Sequence, residues 1–227
     1  MDKLLQINFF IILLLLSISG CMSDKSPIDP RLDGSIDTIV IKPGPEGKDA
    51  IVSSYYPEHN FGNGLSLNAM ISNIDRIPYV ERAYIDFDIS SIPTGASILN
   101  AELILYADTV LMTGGYAGHS TSSSGSFETN DWVVETITTP WEENSITWFN
   151  IPSTDISSKI ACAPATSFSQ KYTINVTDHI AQQFRYKGSS YGFLIKLKDE
   201  NGSRKISFCS SDYAYPKLRP ELMVVYQ

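Results

Sequence analysis

The 227-residue chain is short of positive charge: 17 Lys and Arg stand against 25 Asp and Glu, a formal net charge of −8. No cluster of Lys and Arg appears anywhere, and phosphate recognition needs one, so nucleic-acid binding is excluded. His and Cys are scarce, with three of each. His59, His119 and His179 are scattered, and no Cys-x-x-Cys or His-Glu-x-x-His spacing offers zinc a ligand set. The nucleophile elbow, the P-loop and the dinucleotide-binding glycine pattern are missing too. The unbroken apolar run Phe9 to Leu16 covers only eight residues, where a bilayer-spanning helix needs roughly twenty.

What is present points to an exported β protein. Hydrophobic residues at 43% are too many for a disordered chain. Abundant Tyr, Phe, Ser, Thr, Ile and Val favour strands over helices. The apolar run suits the core of a signal peptide over residues 1–20. Ile18-Ser19-Gly20-Cys21 resembles the prokaryotic lipobox, which implies a diacylglycerol thioether on Cys21. The alternatives are an ordinary signal peptide with an incidental Cys, or a membrane stub. Two acyl chains, at about 0.8 kcal/mol per buried CH₂, hold a protein on a membrane by lipid alone. Residues 21–36, polar with Pro27, Pro30 and Gly34, read as a tether to a domain over residues 37–227. Cys162 and Cys209 then remain, either paired as a disulfide or standing as two free buried thiols.

Apolar and polar residues alternate repeatedly between Gly, Pro, Asn and Asp clusters. Strands are expected over 38–42, 50–53, 65–67, 82–88, 101–106, 132–137, 171–176, 191–198, 205–210 and 221–226. Ala83, Ile85 and Phe87 should face inward, as should Ala101, Leu103 and Leu105. Asn201-Gly202 signals a tight hairpin between two late strands. One short helix is expected from a Thr177-Asp178 cap, with Ile180 and Phe184 four apart and an end near Gly188. Residues 113–126, rich in Ser and Gly, read as a flexible hairpin loop. No internal repeat is seen, so the expectation is one all-β domain, a jelly-roll type β-sandwich with one short helix.

Several motifs fall in one order: Asp49-Ala50-Ile51-Val52, Pro57-Glu58-His59-Asn60-Phe61-Gly62, and Arg82-Ala83-Tyr84-Ile85-Asp86-Phe87-Asp88. Then come Trp141-Glu142-Glu143-Asn144-Ser145-Ile146-Thr147-Trp148-Phe149-Asn150-Ile151-Pro152, Asn175-Val176-Thr177-Asp178 and Arg219-Pro220-Glu221-Leu222. Over roughly 37–227 this resembles the DNRLRE-domain family, also classed as carbohydrate-binding module family 96. Within it the chain looks most like disaggregatase-related repeats of methanogenic archaea. The resemblance implies a jelly-roll sandwich that binds polysaccharide, often acidic, without catalysis. Asn175 stands where that family usually has Asp.

Candidate binding residues follow from alternation. Arg82, Tyr84 and Asp86 share the outward side of one strand, where Arg offers a planar fork and Tyr a ring face; the plainer reading is a solvent-facing strand. Tyr55, Tyr56 and Asn60 on the loop before Phe61-Gly62 form a second set. Loop oxygens of Asp49, Glu58 and Asn60 are candidates for calcium, and no other cofactor is expected. Trp141 and Trp148 are expected to pack their loop against the core. Glu142-Glu143 and Asp86/Asp88 read as ordinary surface acids rather than a hydrolytic pair. Asn175 and Asn201 head glycosylation sequons, the first expected to be enclosed and the second exposed at a hairpin tip. The expected function is a surface-tethered, non-catalytic polysaccharide-binding module, with acidic cell-surface or matrix glycans as candidate ligands. The alternative is a structural or adhesive cell-envelope lipoprotein with protein partners.

Overall fold

The computed structural model describes residues 34–44, 46–109, 129–166, 171–186 and 191–227. Cys21, most of the tether, and the 113–126 insertion with His119 lie outside the described residues. The compact unit Gly34–Gln227 holds every element.

Eleven strands run β1 (Asp37–Ile41), β2 (Lys48–Ser53), β3 (Ser66–Ile74), β4 (Ile77–Asp86), β5 (Ile98–Tyr106), β6 (Trp132–Ile137), β7 (Thr154–Cys162), β8 (Lys171–Asn175), β9 (Phe193–Leu197), β10 (Arg204–Cys209) and β11 (Glu221–Tyr226). One helix, α1 (Thr177–Arg185), lies between β8 and β9. A four-stranded sheet has the order β1-β11-β5-β8. A seven-stranded sheet has the order β10-β3-β4-β9-β6-β7, with β2 also paired to β4. All pairings are antiparallel. This is the expected β-sandwich with a single short helix.

The main core lies between the sheets. Ala101, Leu103 and Leu105 of β5 face Ala83 and Ile85 of β4, all buried, as alternation requires. Trp132 anchors this layer, with ring centroids 5.0 Å from Phe208 and 5.7 Å from Tyr172. Ile180 of α1 is buried in the same core and Phe184 packs against it. Thr177 does not cap the helix. Its Oγ1 accepts from the Ala101 N–H at 2.9 Å, tying the first turn to β5.

Strand pairing departs from the expectation. The strands flanking Asn201-Gly202 are not a hairpin, because β9 pairs with β4 and β6 while β10 lies beyond β3. The connection must therefore cross between separated strands. The two-residue hairpin is instead β3–β4, closed by Ile74↔Ile77 around Asp75 (φ 52°) and Arg76 (φ 69°). Strand β7 was not expected. It is an edge strand whose Ser157, Ser158 and exposed Ile156 break the usual alternation.

Candidate functional site

The seven-stranded sheet has a second buried face. Ala50 and Val52 of β2, Tyr84 of β4, Leu194 of β9 and Ile137 of β6 form an apolar strip on its outer side. Trp141 and Ile146, from the segment between β6 and β7, cover that strip. The Trp141 ring lies 5.9 Å from Tyr84, and its indole N–H donates to the Tyr191 carbonyl at 2.9 Å. Trp141 is thus the loop-packing residue expected from the sequence.

This cover removes Tyr84 from the first candidate set, and ion pairs engage the other two. Tyr84 does point away from the main core, but it is 1% exposed and offers no ring face to a ligand. Burial pushes its phenol far above the ordinary tyrosine range. Arg82 donates through Nε and Nη2 to both carboxylate oxygens of Glu200, at 2.8 and 2.7 Å. Its guanidinium carbon sits 5.0 Å from the centre of the Trp148 ring. Glu200 belongs to the β9–β10 connection, so the Arg82 fork pins that crossing loop. Asp86 lies 3.6 Å from Lys48 Nζ and also accepts from the Phe87 N–H. Burial raises its pKa, with the Lys48 charge opposing. Outward on a strand did not mean exposed.

The second candidate set fares differently. Tyr55 and Tyr56 are 36% and 57% exposed, with ring centroids 4.8 Å apart and planes nearly perpendicular. Tyr55 also leans on Tyr79 of β4 at 5.7 Å, and Tyr56 on Phe61 at 6.3 Å. The loop is held at both ends. Ser54 exchanges bonds with Val80: its N–H donates to the Val80 carbonyl at 2.9 Å, and its Oγ accepts from the Val80 N–H at 2.8 Å. Asn60 donates through its amide to the carbonyls of Glu143 and Ile146, at 2.6 and 2.8 Å. The Trp148 N–H donates to the Pro57 carbonyl at 3.1 Å. A β-carbon at Gly62 would sit 2.6 Å from the Glu143 carbonyl oxygen, so glycine alone allows this close approach.

The loop over 54–64 and the segment over 141–152 are therefore stapled together. Within the latter, Asn150 accepts from the Thr147 N–H at 2.6 Å and donates to the Ser145 carbonyl at 2.9 Å. That tight turn leaves Phe149 71% exposed. Sequence reasoning passed over Phe149, although it stands between two residues whose places are structural. The Trp-Phe-Asn turn was its signal.

The calcium candidates are not assembled as a cage. Asp49 is buried, its Oδ2 accepts from the Ser211 N–H at 2.7 Å, and its N–H donates to Glu143 Oε1 at 3.0 Å. Burial above all, with the Glu143 and Asp212 charges adding, pushes its pKa up to about 7. Asn60 spends its amide on the loop staple and its Oδ1 on the Gly62 N–H. Glu58 is exposed. Among the described residues no group of three or more His, Cys, Asp and Glu is placed to hold a metal ion.

Cys162 and Cys209 are free thiols, on the opposite edge strands β7 and β10 of one sheet. Cys209 is buried and Cys162 half-buried. Burial pushes both thiols up to about 12, so both stay protonated at neutral pH. Asn201 is exposed and donates to Asp199 at 2.6 Å. Asn175 is exposed rather than enclosed, with its Oδ1 accepting from the Thr177 N–H at 3.0 Å.

Fold and surface together define a two-sheet β-sandwich whose braced loops present aromatic rings to solvent, the form of a binding module. The chain belongs to carbohydrate-binding module family 96, whose model matches residues 45–226. A search of the curated proteins finds no match.

Proposed function

We propose that this chain is a non-catalytic polysaccharide-binding module, carried on a membrane by lipid at Cys21, with its binding surface at Tyr55, Tyr56 and Phe149. One observation carries the choice of surface: two adjacent tyrosines stay exposed on a loop that five hydrogen bonds and a glycine contact hold in place. A pyranose ring presents C–H groups on its faces and hydroxyls at its rim. A tyrosine matches that pattern with an apolar ring and a polar tip, and two χ angles leave it little entropy to lose. Bracing the loop beforehand lowers the ordering cost of binding.

The acids support a binding role over hydrolysis. Asp49, the carboxyl with the most perturbed titration, is 1% exposed and cannot reach a polymer. Asp86 is engaged by Lys48 and Asp88 accepts from the Ser90 N–H at 2.9 Å.

Affinity electrophoresis through gels containing different polysaccharides tests the reading. At least one polymer should retard the protein, and Tyr56→Ala should lose about tenfold in affinity, roughly 1.4 kcal/mol, with an unchanged circular dichroism spectrum. Retardation that Tyr56→Ala leaves intact would move the site elsewhere. Silence across all polymers, with capture of an envelope protein, would favour the adhesive reading. Cleavage before Cys21 and added acyl mass in membrane-extracted protein would establish the anchor; a Cys21→Ala protein that stays equally membrane-bound would refute it.

A further inference from the structure

We infer that the folded chain joins β3 to β10 covalently, through an amide bond formed between the Lys205 amine and the Asn68 side chain with loss of ammonia. The register assembles the partners. Lys205 of β10 lies opposite Met70 of β3, and Met70 lies opposite Glu81 of β4, so the three stand in one row across adjacent strands. Asn68 is the next residue of β3 on that side and lies opposite Ser207. Leu67, Ala69, Ile206 and Phe208 alternate with these residues and fill the main core, which leaves Asn68, Lys205 and Ser207 together on the other side. Lys205 and Asn68 are thus diagonal cross-strand neighbours, a step that long side chains span.

The Asn68 amide is engaged at both ends. Its Nδ2 donates to Glu81 Oε2 at 2.9 Å, and its Oδ1 accepts from the Ser207 hydroxyl. Asn68 and Ser207 are buried, which holds back water as a competing nucleophile. Burial pushes the Glu81 pKa up, with the Asn68 hydrogen bond and the Lys205 charge opposing. Burial also pushes the Lys205 pKa down, against the charges of Glu81 and Asp108. Asp108 is itself buried, and its Oδ2 accepts from the Ser66 hydroxyl. A neutral amine beside a protonated carboxyl is the pair that aminolysis of an amide needs. The step balances without a co-reactant. The Nζ lone pair of Lys205 attacks Asn68 Cγ, and the Ser207 hydroxyl holds the charge that develops on Oδ1. Glu81 gives its proton to Nδ2 and takes one from Nζ. The Cγ–Nδ2 bond breaks, ammonia leaves, and the Cγ–Nζ amide remains.

Intact mass and peptide mapping of the protein lacking only its signal peptide test the bond. The expected mass is below the sequence mass by one ammonia, with a branched peptide that links residues 68 and 205. Lys205→Arg and Asn68→Ala should each show the full mass of their own sequence. Glu81→Gln should leave the amide unformed while the circular dichroism spectrum stays unchanged. A folded, unaltered protein at full sequence mass, with unbranched peptides only, would overturn the inference whatever the variants do. A branch from Lys205 to Asp108, with loss of water instead, would overturn it too. So would an ammonia loss that persists in Lys205→Arg, because it would then arise at another residue.

Discussion

Tyr84 and Tyr56 belong to neighbouring parts of one sheet, Tyr84 on β4 and Tyr56 on the loop that leaves β2, which pairs with β4. One is 1% exposed and the other 57%. Neither belongs to the main core. The difference comes from the segment over 141–152, which lies across the strip around Tyr84 and stops against the loop of Tyr56, where Asn60 and Gly62 receive it. Strand parity assigns a side chain to a side of its sheet; only a third layer decides whether that side is wet.

The largest expected effect separates these two tyrosines. Tyr84→Ala removes a buried ring packed against Trp141 and should cost about 3 kcal/mol or more in urea unfolding. Tyr56→Ala should change stability by only about 0.5 kcal/mol. Equal losses from the two would erase the distinction between covered face and open loop.

Next comes the join between them. Gly62→Ala drives a methyl group against the Glu143 carbonyl, and overpacking of this kind costs about 1–3 kcal/mol. Because the same contact seats the tyrosine loop, polysaccharide affinity measured on folded protein should fall as well. Lost stability with unchanged affinity would show that the loop keeps its shape without the cover.

Asp49 sharpens the covered side. Its folded pKa of about 7 lies above the unfolded aspartate value near ~3.9, so the folded state holds the extra proton between these limits. Its contribution to stability is therefore full below the unfolded pKa and is lost as pH rises through about 7. Denaturation midpoints should fall across that window, and Asp49→Asn should flatten the trend. A midpoint that rises over the same range in both proteins would contradict the buried, protonated carboxyl.

The smallest effect lies outside both regions. Arg76 holds a left-handed conformation at φ 69° in the β3–β4 turn, where a side chain costs roughly 1–2 kcal/mol. Arg76→Gly should raise stability by up to about 1 kcal/mol and leave affinity alone. A loss of affinity would extend the binding surface to this hairpin.

Much of the architecture was written in local pattern. The expected bounds of β6 and β11 coincide with the observed ones, and the inward sets of β4 and β5 are buried as their period requires. Trp141 lies where its motif suggested, as a loop anchor. The edge strand β7 was illegible because an edge with little to bury needs no regular apolar face. The Asn201-Gly202 turn misled because turn chemistry shapes a bend and says nothing of which strands pair beyond it. Continuous burial along β2 and β6 accompanies the double cover, and Ala50-Ile51-Val52 was its one visible trace.

By itself, the sequence determined the all-β class, the faces of the central strands and the absence of metal or nucleotide motifs. These depend on neighbours within a few residues, or on composition alone. Tertiary structure decided that Arg82 answers Glu200, 118 positions away, that Tyr84 lies under Trp141, and that Tyr55, Tyr56 and Phe149 remain in solvent. Those outcomes depend on which distant segment reaches a surface first and satisfies it, and no local periodicity encodes that competition.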